Sequence, residues 1–372
     1  MATNKIKVLI QQPILPPYRL ATFRALSQDP RLDVTIAYGT TTKGMPLESI
    51  ENPEGIKTIS FPNIAFGHQL AINIQPKILA IFHQLRPDAV VLELNPRNIT
   101  SVIFPKFFRR KGASITFWGH GIRPKERIKS FYIKQTKWSD STILYYPQGK
   151  EELIKLGVPA EKLFVAWNSI ETEEIATLAE PYTADRNEIV TVCRLTPLKK
   201  VPLLLNAFLY ATEHLGLDAK LTIIGDGPER AILEKLRNSS PHKDRVNILG
   251  PLWKQTDIAP YFNRAYISVS AGQVGLNAIH CMAYGVPMIC ADNEPHSPEI
   301  MALKEGENAY FFPANSVEAL AQKLVDTKNN PHQRIEFSKN AYDYTHANFS
   351  AQKMANNIAE AIIAGYQNRN KK

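Results

Sequence analysis

The hydrophobic and polar positions of this 372-residue chain form two alternating kinds of segment. Short apolar runs suit buried strands, and the longer segments between them carry apolar residues at helical spacing. Such alternation of strand and helix predicts a parallel sheet with helices on both faces. In the first half the predicted strands are IKVLI, LDVTIAYG, DAVVLEL and SITFWGHG, and the predicted helices are YRLATFRALSQ, AINIQPKILAIFHQLR and ITSVIFPKFFRRK.

A second series of the same kind begins near Glu188. Two series predict two doubly wound α/β domains rather than one large sheet, and the length fits two domains of roughly 150–200 residues. The predicted strands are EIVTVCRL, AKLTIIGDG, VNILGPL, the end of YFNRAYISVSA, and VPMICAD. The predicted helices are VPLLLNAFLYATEHL, PERAILEKLRNS, LNAIHCMAYG and SVEALAQKLVDT.

The polar segment ETEEIATLAEPYTADR separates the two series. We therefore predict an N-terminal domain over residues 1–168, a C-terminal domain over residues 169–345, and a helix with a basic tail over residues 346–372. The terminal helix is expected to pack across the join. Because ligands of doubly wound sheets bind beyond the carboxyl ends of the strands, the expected site is a central cleft between the two domains.

The composition restricts the class of protein. Hydrophobic residues make up 44% of the chain, which supports packed cores and excludes a disordered or fibrous protein. The three cysteines, Cys193, Cys281 and Cys290, lie in apolar segments and form no zinc motif, so we expect a reducing, cytoplasmic compartment. No apolar run suggests a signal peptide or approaches the ~18 residues of a membrane-spanning helix.

The positive charge is concentrated in one half of the chain. Residues 1–168 hold 23 Lys and Arg against 12 Asp and Glu, whereas residues 169–372 hold 21 against 23. An acidic partner is therefore expected for the first half. The stretch Phe104–Trp138 has ten cations, eight aromatics and one acid, Glu126. It suits an anionic membrane surface with aromatics at the headgroups, a nucleic acid, or a solvated face whose aromatics lie in the core.

Candidate chemistry follows the predicted strands. Arg194 and Lys199 match a diphosphate in charge and hydrogen bonding, or are solvated surface cations. The loop Gly272–Gly275 opens a helix, whose N–H groups favour an anionic or hydroxyl-rich ligand. His280 lies one turn into that helix, and His120 lies between two glycines after a strand. Each histidine is either a ligand contact or a packed structural residue.

The motifs together resemble a family, the GT-B glycosyltransferases of the retaining family-4 type. The resemblance implies a GT-B fold of two Rossmann-like domains, and the first half, where WGHG resembles the family's "HG", matches more loosely. GVPAEKLFVAWNSIE resembles "GV..EKI.VI.NGVD", CRLTPLKKVPLLLNAF resembles "GRL...KG...LI.AF", and IIGDGPER matches "I.GDGP". AIHCMAYGVPMI resembles "ILEAMACGTPVI", and PEIMALKEGENAYFFP resembles "PEVVEDGENGLLVP".

The resemblance also implies roles for single residues. Arg194 and Lys199 would hold the donor diphosphate, and Leu249 would lie in the strand whose backbone meets the base. His120 is expected to face the donor sugar from the opposite domain, because each half presents its strand ends to the other. The catalytic set is therefore His120, Arg194 and Lys199. The expected donor-binding set is Leu249, Gly272, Gln273, Val274, Gly275, Leu276, Asn277, His280 and Glu299.

The sequence departs from the family at its two glutamates, which are separated by seven residues. The first contacts the donor sugar and the second contacts the ribose; Gly272 and His280 occupy these positions here. We expect His280 to bond one ribose hydroxyl and the backbone of Gln273–Leu276 to hold the sugar. The side chains of Gln273 or Asn277, or Glu299 from the next strand end, are expected to add contacts.

The expected function is transfer of a sugar from a nucleoside-diphosphate-sugar to a hydroxyl of a glycan or lipid-linked glycan, in polysaccharide or glycolipid biosynthesis. The resemblance implies retention at the anomeric carbon, and the protein would lie on the inner face of the membrane. With no Asp-x-Asp motif in the sequence, no metal or other cofactor is expected, and transfer should survive chelation. The alternatives are a GT-B sugar-nucleotide epimerase or hydrolase, and a nucleic-acid-binding protein using the basic half, although no nucleic-acid partner is expected.

Overall fold

The computed structural model describes residues 5–40, 49–66, 72–121 and 129–371. These residues divide into two compact units. The first comprises Met1–Ile170 together with Ala351–Lys372, and the second comprises Glu171–Ser350. Each unit contains a parallel sheet with helices packed against it, so the predicted α/β class and the two series of strands are both present.

The first unit has, within the described ranges, one seven-stranded parallel sheet and a small antiparallel pair. The strands are β1 Ile6–Gln12, β2 Leu32–Thr40, β3 Lys57–Pro62, β4 Ile64–Phe66, β5 Ile72–Ile74, β6 Ala89–Glu93, β7 Ser114–Gly119, β8 Ser141–Leu144 and β9 Leu163–Val165. The helices are α1 Leu20–Ser27, α2 Ile78–Leu85, α3 Ile99–Ile103, α4 Pro105–Arg110, α5 Lys129–Trp138 and α6 Pro147–Lys155. The sheet order is β3-β2-β1-β6-β7-β8-β9, and β4 pairs with β5.

The second unit has one six-stranded parallel sheet, as far as its residues are described. Its strands are β10 Glu188–Val192, β11 Lys220–Ile224, β12 Val246–Leu249, β13 Ala265–Ser270, β14 Met288–Ala291 and β15 Ala309–Phe312, in the order β12-β11-β10-β13-β14-β15. Its helices are α7 Thr172–Leu178, α8 Val201–His214, α9 Arg230–Asn238, α10 Gln255–Arg264, α11 Leu276–Ala283, α12 Val317–Asn329 and α13 Pro331–Asn348. The chain then returns to the first unit as α14, Ala351–Asn370.

The core of each unit follows from the apolar runs. The strands of both sheets are largely buried, as expected for a sheet covered by helices. Helix α14 lies against α1 and against strands of the first sheet, where Met354, Ile358 and Ile362 are buried. The terminal segment predicted as residues 346–372 is therefore part of the first unit from Ala351 onward.

Two predicted helices differ from the structure. The segment predicted as one helix over residues 71–86 is instead strand β5 followed by helix α2, because the extended run ends at Gln75 and Pro76 precedes the helix. The segment predicted over residues 99–111 is two helices that separate at Phe104 and Pro105. Proline cannot donate the backbone hydrogen bond that a continuous helix requires, and it is tolerated as the first residue of the second helix.

Candidate functional site

The chain order of the second sheet reverses between β10 and β13, which are neighbours. Two loops follow these strands at the carboxyl edge: the β10 loop, residues 193–200, and the β13 loop, residues 271–275. Ligands of open α/β sheets bind at such a reversal point. Arg194, Lys199, Gly272 and Gly275 all lie in these two loops.

Direct hydrogen bonds join the β10 loop to the β13 loop. The Gln273 N–H donates to the Leu198 carbonyl at 2.8 Å, and the Lys199 ammonium donates to the Gln273 carbonyl at 2.6 Å. Burial lowers the pKa of Lys199, and the nearby Cys193 and Glu299 offset part of this effect. Lys199 is thus a partly buried cation held at the reversal point of the sheet.

Gly272 lies directly against the backbone of the β10 loop. A methyl group at this position would lie 2.3 Å from the Leu198 carbonyl oxygen and 2.9 Å from the Lys199 carbonyl carbon. Real contacts are never this short, so no side chain fits while the two loops keep their present spacing. The glycine at the position of the family's first glutamate is therefore a packing requirement of this chain.

Arg194 differs from Lys199 in its surroundings. Its residue is exposed, and none of the hydrogen bonds or ion pairs found among the described residues involves its guanidinium. A guanidinium presents several donors in a fork that matches phosphate oxygens. Of the two predicted diphosphate contacts, Lys199 is therefore anchored within the protein and Arg194 is available to an anion.

The β13 loop uses most of its own donors within the protein. The N–H groups of Gln273, Val274 and Gly275 donate to the Leu198 carbonyl, to His296 Nδ1 and to Asn277 Oδ1, respectively. Three of the four backbone N–H groups of Gln273–Leu276, which were expected to hold the sugar, are therefore already engaged within the protein. The N–H groups of Leu276 and Asn277 begin helix α11 and have no preceding helical turn to donate to.

Two predicted side-chain contacts of this loop are also engaged. The Gln273 amide donates from Nε2 to the Pro295 carbonyl at 2.8 Å. Asn277 accepts the Gly275 N–H at 2.9 Å, which closes the turn that precedes α11. Both side chains therefore shape the β13 loop in this structure, whatever further contacts they make with a ligand.

His280 is held by helix α10. Its Nε2 lies 2.8 Å from Gln255 Oε1, and its ring packs edge-on against Phe262 with ring centroids 5.0 Å apart. Burial lowers the pKa of His280 to about 4, so the imidazole is neutral at pH 7. The nitrogen bonded to Gln255 is already occupied, so a ribose hydroxyl would have to use Nδ1 or displace Gln255.

Two other predicted donor residues lie at strand ends of the same sheet. Glu299 is buried in the 3-10 turn Pro298–Ala302 that follows β14, and its charge acts on Lys199. Leu249 ends β12, and its carbonyl accepts from the Arg230 guanidinium at 3.4 Å. The structure thus brings Glu299 into electrostatic reach of Lys199 and places Leu249 on the edge strand of the sheet.

The Gly-Asp-Gly turn after β11 packs on the β10 loop. Gly225 and Gly227 have φ values of 142° and 154°, which L-residues with side chains rarely adopt. A methyl group on Gly225 would lie 1.9 Å from the Cys193 carbonyl oxygen. These glycines therefore allow the loops that follow β10 and β11 to touch.

His120 belongs to the first unit, where it follows β7. It is exposed, and its ring lies 4.7 Å from the Tyr145 ring. It lines a pocket of about 330 Å³ at the carboxyl ends of β6, β7 and β8. The pocket is lined by Arg19, Glu93, Leu94, Asn95, Pro96, Arg97, Trp118, Gly119, His120, Gly121, Tyr132 and Tyr145. His120 is therefore a pocket residue rather than a packed core histidine.

Sequence reasoning missed Arg19 in this pocket. Its guanidinium donates to Gln12 Oε1 at 2.6 Å and to the Tyr145 hydroxyl, and it lies 4.5 Å from the Trp118 ring centroid. The segment QQPILPPYR contains no glycine motif that would have drawn attention to it. Arg19 is recognisable only once the sheet brings the ends of β1, β7 and β8 together.

Sequence reasoning also missed His296, in the β14 loop, which we define as residues 292–297. Its Nδ1 accepts the Val274 N–H at 3.1 Å, and its Nε2–H donates to the Ala291 carbonyl at 3.0 Å. The sequence offered little sign of this role, because many surface residues follow a strand as the histidine of ADNEPHSPE does.

The basic stretch Phe104–Trp138 is only partly described, because residues 122–128 lie outside the described ranges. Its eight aromatics pack into or against two hydrophobic cores of the first unit. Phe108, Phe117, Trp118 and Tyr132 are buried, and the other four aromatics are half-buried. The aromatics therefore contribute to the core of the first unit, and the contact of this stretch with an anionic membrane stays a prediction. Among the described residues, the large apolar side chains that the first unit exposes are Ile64, Phe66, Ile72, Val102, Ile103, Ile154 and Leu156.

The described ranges contain neither a candidate metal cluster nor a helix that could span a membrane. No group of three or more His, Cys, Asp and Glu residues there could hold a metal ion. No helix in the same ranges is both long enough and apolar enough to cross a membrane.

Known proteins resemble this chain in the sequence of its second unit and in its fold. Residues 178–344, most of the second unit, match the family described as "Glycosyl transferases group 1". A glycosyltransferase from Rickettsia africae has a TM-score of 0.72 at 17% identity, covering 99% of this chain and 100% of that one. HepE of Anabaena, solved in complex with UDP, has a TM-score of 0.69 at 15% identity, covering 96% and 99%. The chain has the GT-B fold of two Rossmann-like domains.

A curated relative adds detail. The alpha-monoglucosyldiacylglycerol synthase of Acholeplasma laidlawii is 25% identical over 214 residues, which cover 56% of this chain and 52% of the relative. The chain thus matches about half the length of this relative. Together the comparisons confirm the predicted resemblance to GT-B glycosyltransferases and the predicted fold.

Proposed function

We propose that this chain transfers a glycosyl group from a nucleoside-diphosphate-sugar to an acceptor hydroxyl, with retention at the anomeric carbon. The observation that carries the proposal is the junction of the β10 and β13 loops at the reversal point of the second sheet. There Lys199 is bonded to Gln273 at 2.6 Å, Arg194 is exposed, and α11 begins. Neighbours solved with UDP support a nucleotide-sugar donor.

The proposed chemistry assigns these groups to the leaving diphosphate. As the bond between the anomeric carbon and the diphosphate oxygen breaks, negative charge develops on the diphosphate. Arg194, Lys199 and the positive N-terminus of α11 would stabilise that charge, and preorganised donors of this kind contribute much of an enzyme's rate enhancement. The proposal needs no metal ion and no other cofactor, as expected from the sequence.

The pocket at the carboxyl ends of β6, β7 and β8 in the first unit is proposed to bind the acceptor. The pocket that contains His120 is lined by Arg19, Glu93 and Arg97, and such polar lining suits a hydroxyl-bearing group. We assign His120 to contact with the reacting sugar, which its exposed position after β7 supports.

A glycan or lipid-linked glycan at an anionic membrane surface is the proposed acceptor. Similarity to a glucosyldiacylglycerol synthase supports a lipid-linked acceptor, and the concentration of positive charge in residues 1–168 supports an anionic surface. The exposed Val102 and Ile103 of α3 precede the exposed cations Lys106 and Arg110, so exposed apolar and basic side chains lie close together in the sequence there. The proposed location is therefore the inner face of the membrane.

Calorimetric titration with UDP, GDP and ADP tests the donor site. Wild type should bind at least one of them, and Arg194→Ala and Lys199→Ala should each lose about 1.5–3 kcal/mol, or about 10-fold or more in affinity. Lys220→Ala is the matched control, because Lys220 is an exposed cation at the opposite end of β11. Unchanged affinity in both loop variants would remove Arg194 and Lys199 from the site.

Product analysis distinguishes the alternatives. Incubation with a bound nucleotide-sugar and a glycan or glycolipid acceptor should give a glycosylated product. An epimerised sugar nucleotide, or free sugar without acceptor product, would favour an epimerase or hydrolase of the same fold.

A further inference from the structure

His296 connects the β14 loop to the β13 loop through both ring nitrogens. Nδ1 accepts the Val274 N–H at 3.1 Å, and Nε2–H donates to the Ala291 carbonyl at 3.0 Å. These two roles are compatible only with a neutral imidazole that carries its proton on Nε2. The geometry therefore fixes the protonation state as well as the orientation of this side chain.

The Val274 backbone is held on both sides by the β14 loop. Its N–H donates to His296, and its carbonyl accepts the Ser297 N–H at 3.1 Å. The Val274 side chain is fully buried. Val274 lies between Gln273 and Gly275. The Gln273 carbonyl accepts a hydrogen bond from the Lys199 ammonium, and Gly275 directly precedes α11. A displacement of Val274 would therefore move both the anchor of Lys199 and the beginning of the helix.

We propose that His296 is a positioning residue for donor binding. By accepting the Val274 N–H it holds the β13 loop in the shape that presents Lys199 and the N-terminus of α11 to a nucleoside diphosphate, and protonation of His296 removes this hold. The inference rests on the proposed function, because it names what keeps that same donor site in order. It also assigns a task to a histidine outside the motifs that carry the resemblance.

The electrostatic surroundings set the direction of the pH effect. Burial lowers the pKa of His296; its bond to the Ala291 carbonyl and the charges of Glu294 and Asp292 act in the opposite direction, and Lys199 adds to the lowering. The neutral form is therefore favoured in the folded protein at pH 7. In acid, a proton on Nδ1 would face the Val274 N–H, so two donors would oppose each other.

Both donor affinity and stability should therefore fall in acid. Because the pKa is lower in the folded than in the unfolded chain, the unfolded state binds the proton more readily as the pH falls below about 6.5. The contribution of His296 is complete above that pH and is lost progressively toward the lowered pKa of the folded state. Binding of a diphosphate that depends on the β13 loop should weaken over the same interval.

Two substitutions separate the two hydrogen bonds of the ring. His296→Asn places an amide oxygen near the position of Nδ1, where it can still accept the Val274 N–H. His296→Gln places its amide near the position of Nε2, where it can donate to the Ala291 carbonyl but leaves Val274 without an acceptor. The exposed His332, at the start of α13, supplies the control His332→Asn.

Calorimetric titration with UDP, with GDP and ADP run in parallel, measures the effect at pH 7.5 and 5.5. At pH 7.5 we expect His296→Asn to stay within about twofold of wild type and His296→Gln to bind about 3- to 10-fold more weakly, as for one lost hydrogen bond. Between pH 7.5 and 5.5 wild type should lose more affinity than His296→Asn, because only wild type carries the titrating ring. His332→Asn should follow wild type throughout.

Three results would overturn the inference. The first is a wild-type affinity that does not change with pH, a measurement that needs no variant to fold. The second is equal affinity of His296→Gln and wild type. The third is an equal loss in both His296 variants, which would indicate a general packing role. A wild type that binds none of the three nucleotides would overturn the proposed function together with this inference.

Discussion

The space beside Gly272 is filled by the backbone of the β10 loop. A carboxylate at position 272 would need room for at least a Cβ atom, and that atom would lie 2.3 Å from the Leu198 carbonyl oxygen. The chain has therefore closed the β13 loop onto the β10 loop and joined them by the Gln273–Leu198 hydrogen bond. Under the proposed function, contacts to a donor sugar would come from other groups, such as the first amides of α11.

We expect Gly272→Ala to destabilise the protein. Because the obstacle is backbone rather than a flexible side chain, the free energy of unfolding should fall by about 1–3 kcal/mol, as for other overpacked positions. Gly250→Ala is the matched control, since a methyl group there meets nothing within 4 Å. Thermal unfolding followed by circular dichroism measures both. Equal melting temperatures of Gly272→Ala and wild type would show that the two loops separate easily.

The residues of the candidate site were predictable from sequence to different degrees. Arg194 and Lys199 could be proposed because they follow a recognisable strand. The strand order of the sheet then places the end of that strand at the reversal point. The contacts of His296 could not be predicted, because its partner Val274 lies 22 residues away in the sequence. Likewise, the acceptor of the His280 imidazole, Gln255, comes from a helix that the apolar pattern did not reveal.

At the scale of elements, periodicity predicted the central strands and most of the longer amphipathic helices. It did not predict strands β3, β8, β9 and β15 or helices α5, α6, α7, α10 and α13. Helix α10 contains Pro260 in its interior, which argues against a helix in sequence terms. Helix α13 has no clear apolar stripe because it buries Arg334, whose guanidinium donates to the Tyr182 hydroxyl at 3.1 Å. Tertiary contacts stabilise both helices, and these contacts cannot be predicted from local pattern.

Helix α14 shows how closely one element fits its neighbours. Gly365 faces strands β7 and β8, where the Thr116 and Ser141 hydroxyls are 2.8 Å apart. A methyl group on Gly365 would lie 2.7 Å from Ser141 Oγ and 3.3 Å from Thr116 Oγ1. The absence of a side chain therefore lets the helix approach the sheet of the first unit.

We expect Gly365→Ala to lower the free energy of unfolding by about 1–2 kcal/mol. Alanine favours a helix by about 1 kcal/mol over glycine, so a net loss would show that the contact with Ser141 outweighs helix propensity. Gln367→Ala, at an exposed position of the same helix, should be nearly neutral. Urea unfolding of the three proteins gives the comparison, and a Gly365→Ala protein more stable than wild type would contradict the tight fit.

At the scale of the whole molecule, charge and exposed apolar surface occur together in the first unit. From Leu94 to Lys125 the sequence contains no Asp or Glu. Within this span α3 exposes Ile103 by 56%, and the exposed cations Lys106 and Arg110 follow on α4. The second unit exposes Ile232 to a similar extent, 52%, but residues 169–372 have a slight excess of acids. The two units should therefore differ in their affinity for an anionic surface.

Co-sedimentation with vesicles tests this difference. Wild type should pellet with vesicles containing anionic lipid, less with neutral vesicles, and less at high salt, because screening shortens the range of the attraction. Ile103→Glu removes an apolar contact and adds a repelled charge, so it should weaken binding about tenfold, since each charge near such a surface is worth about 1 kcal/mol. Ile232→Glu, an equivalent change in the second unit, should leave binding unchanged. Equal pelleting with neutral and anionic lipid, or equal losses in both variants, would refute the assignment of the membrane-binding surface to α3. Tighter binding to RNA than to vesicles would favour a nucleic-acid partner for the basic half.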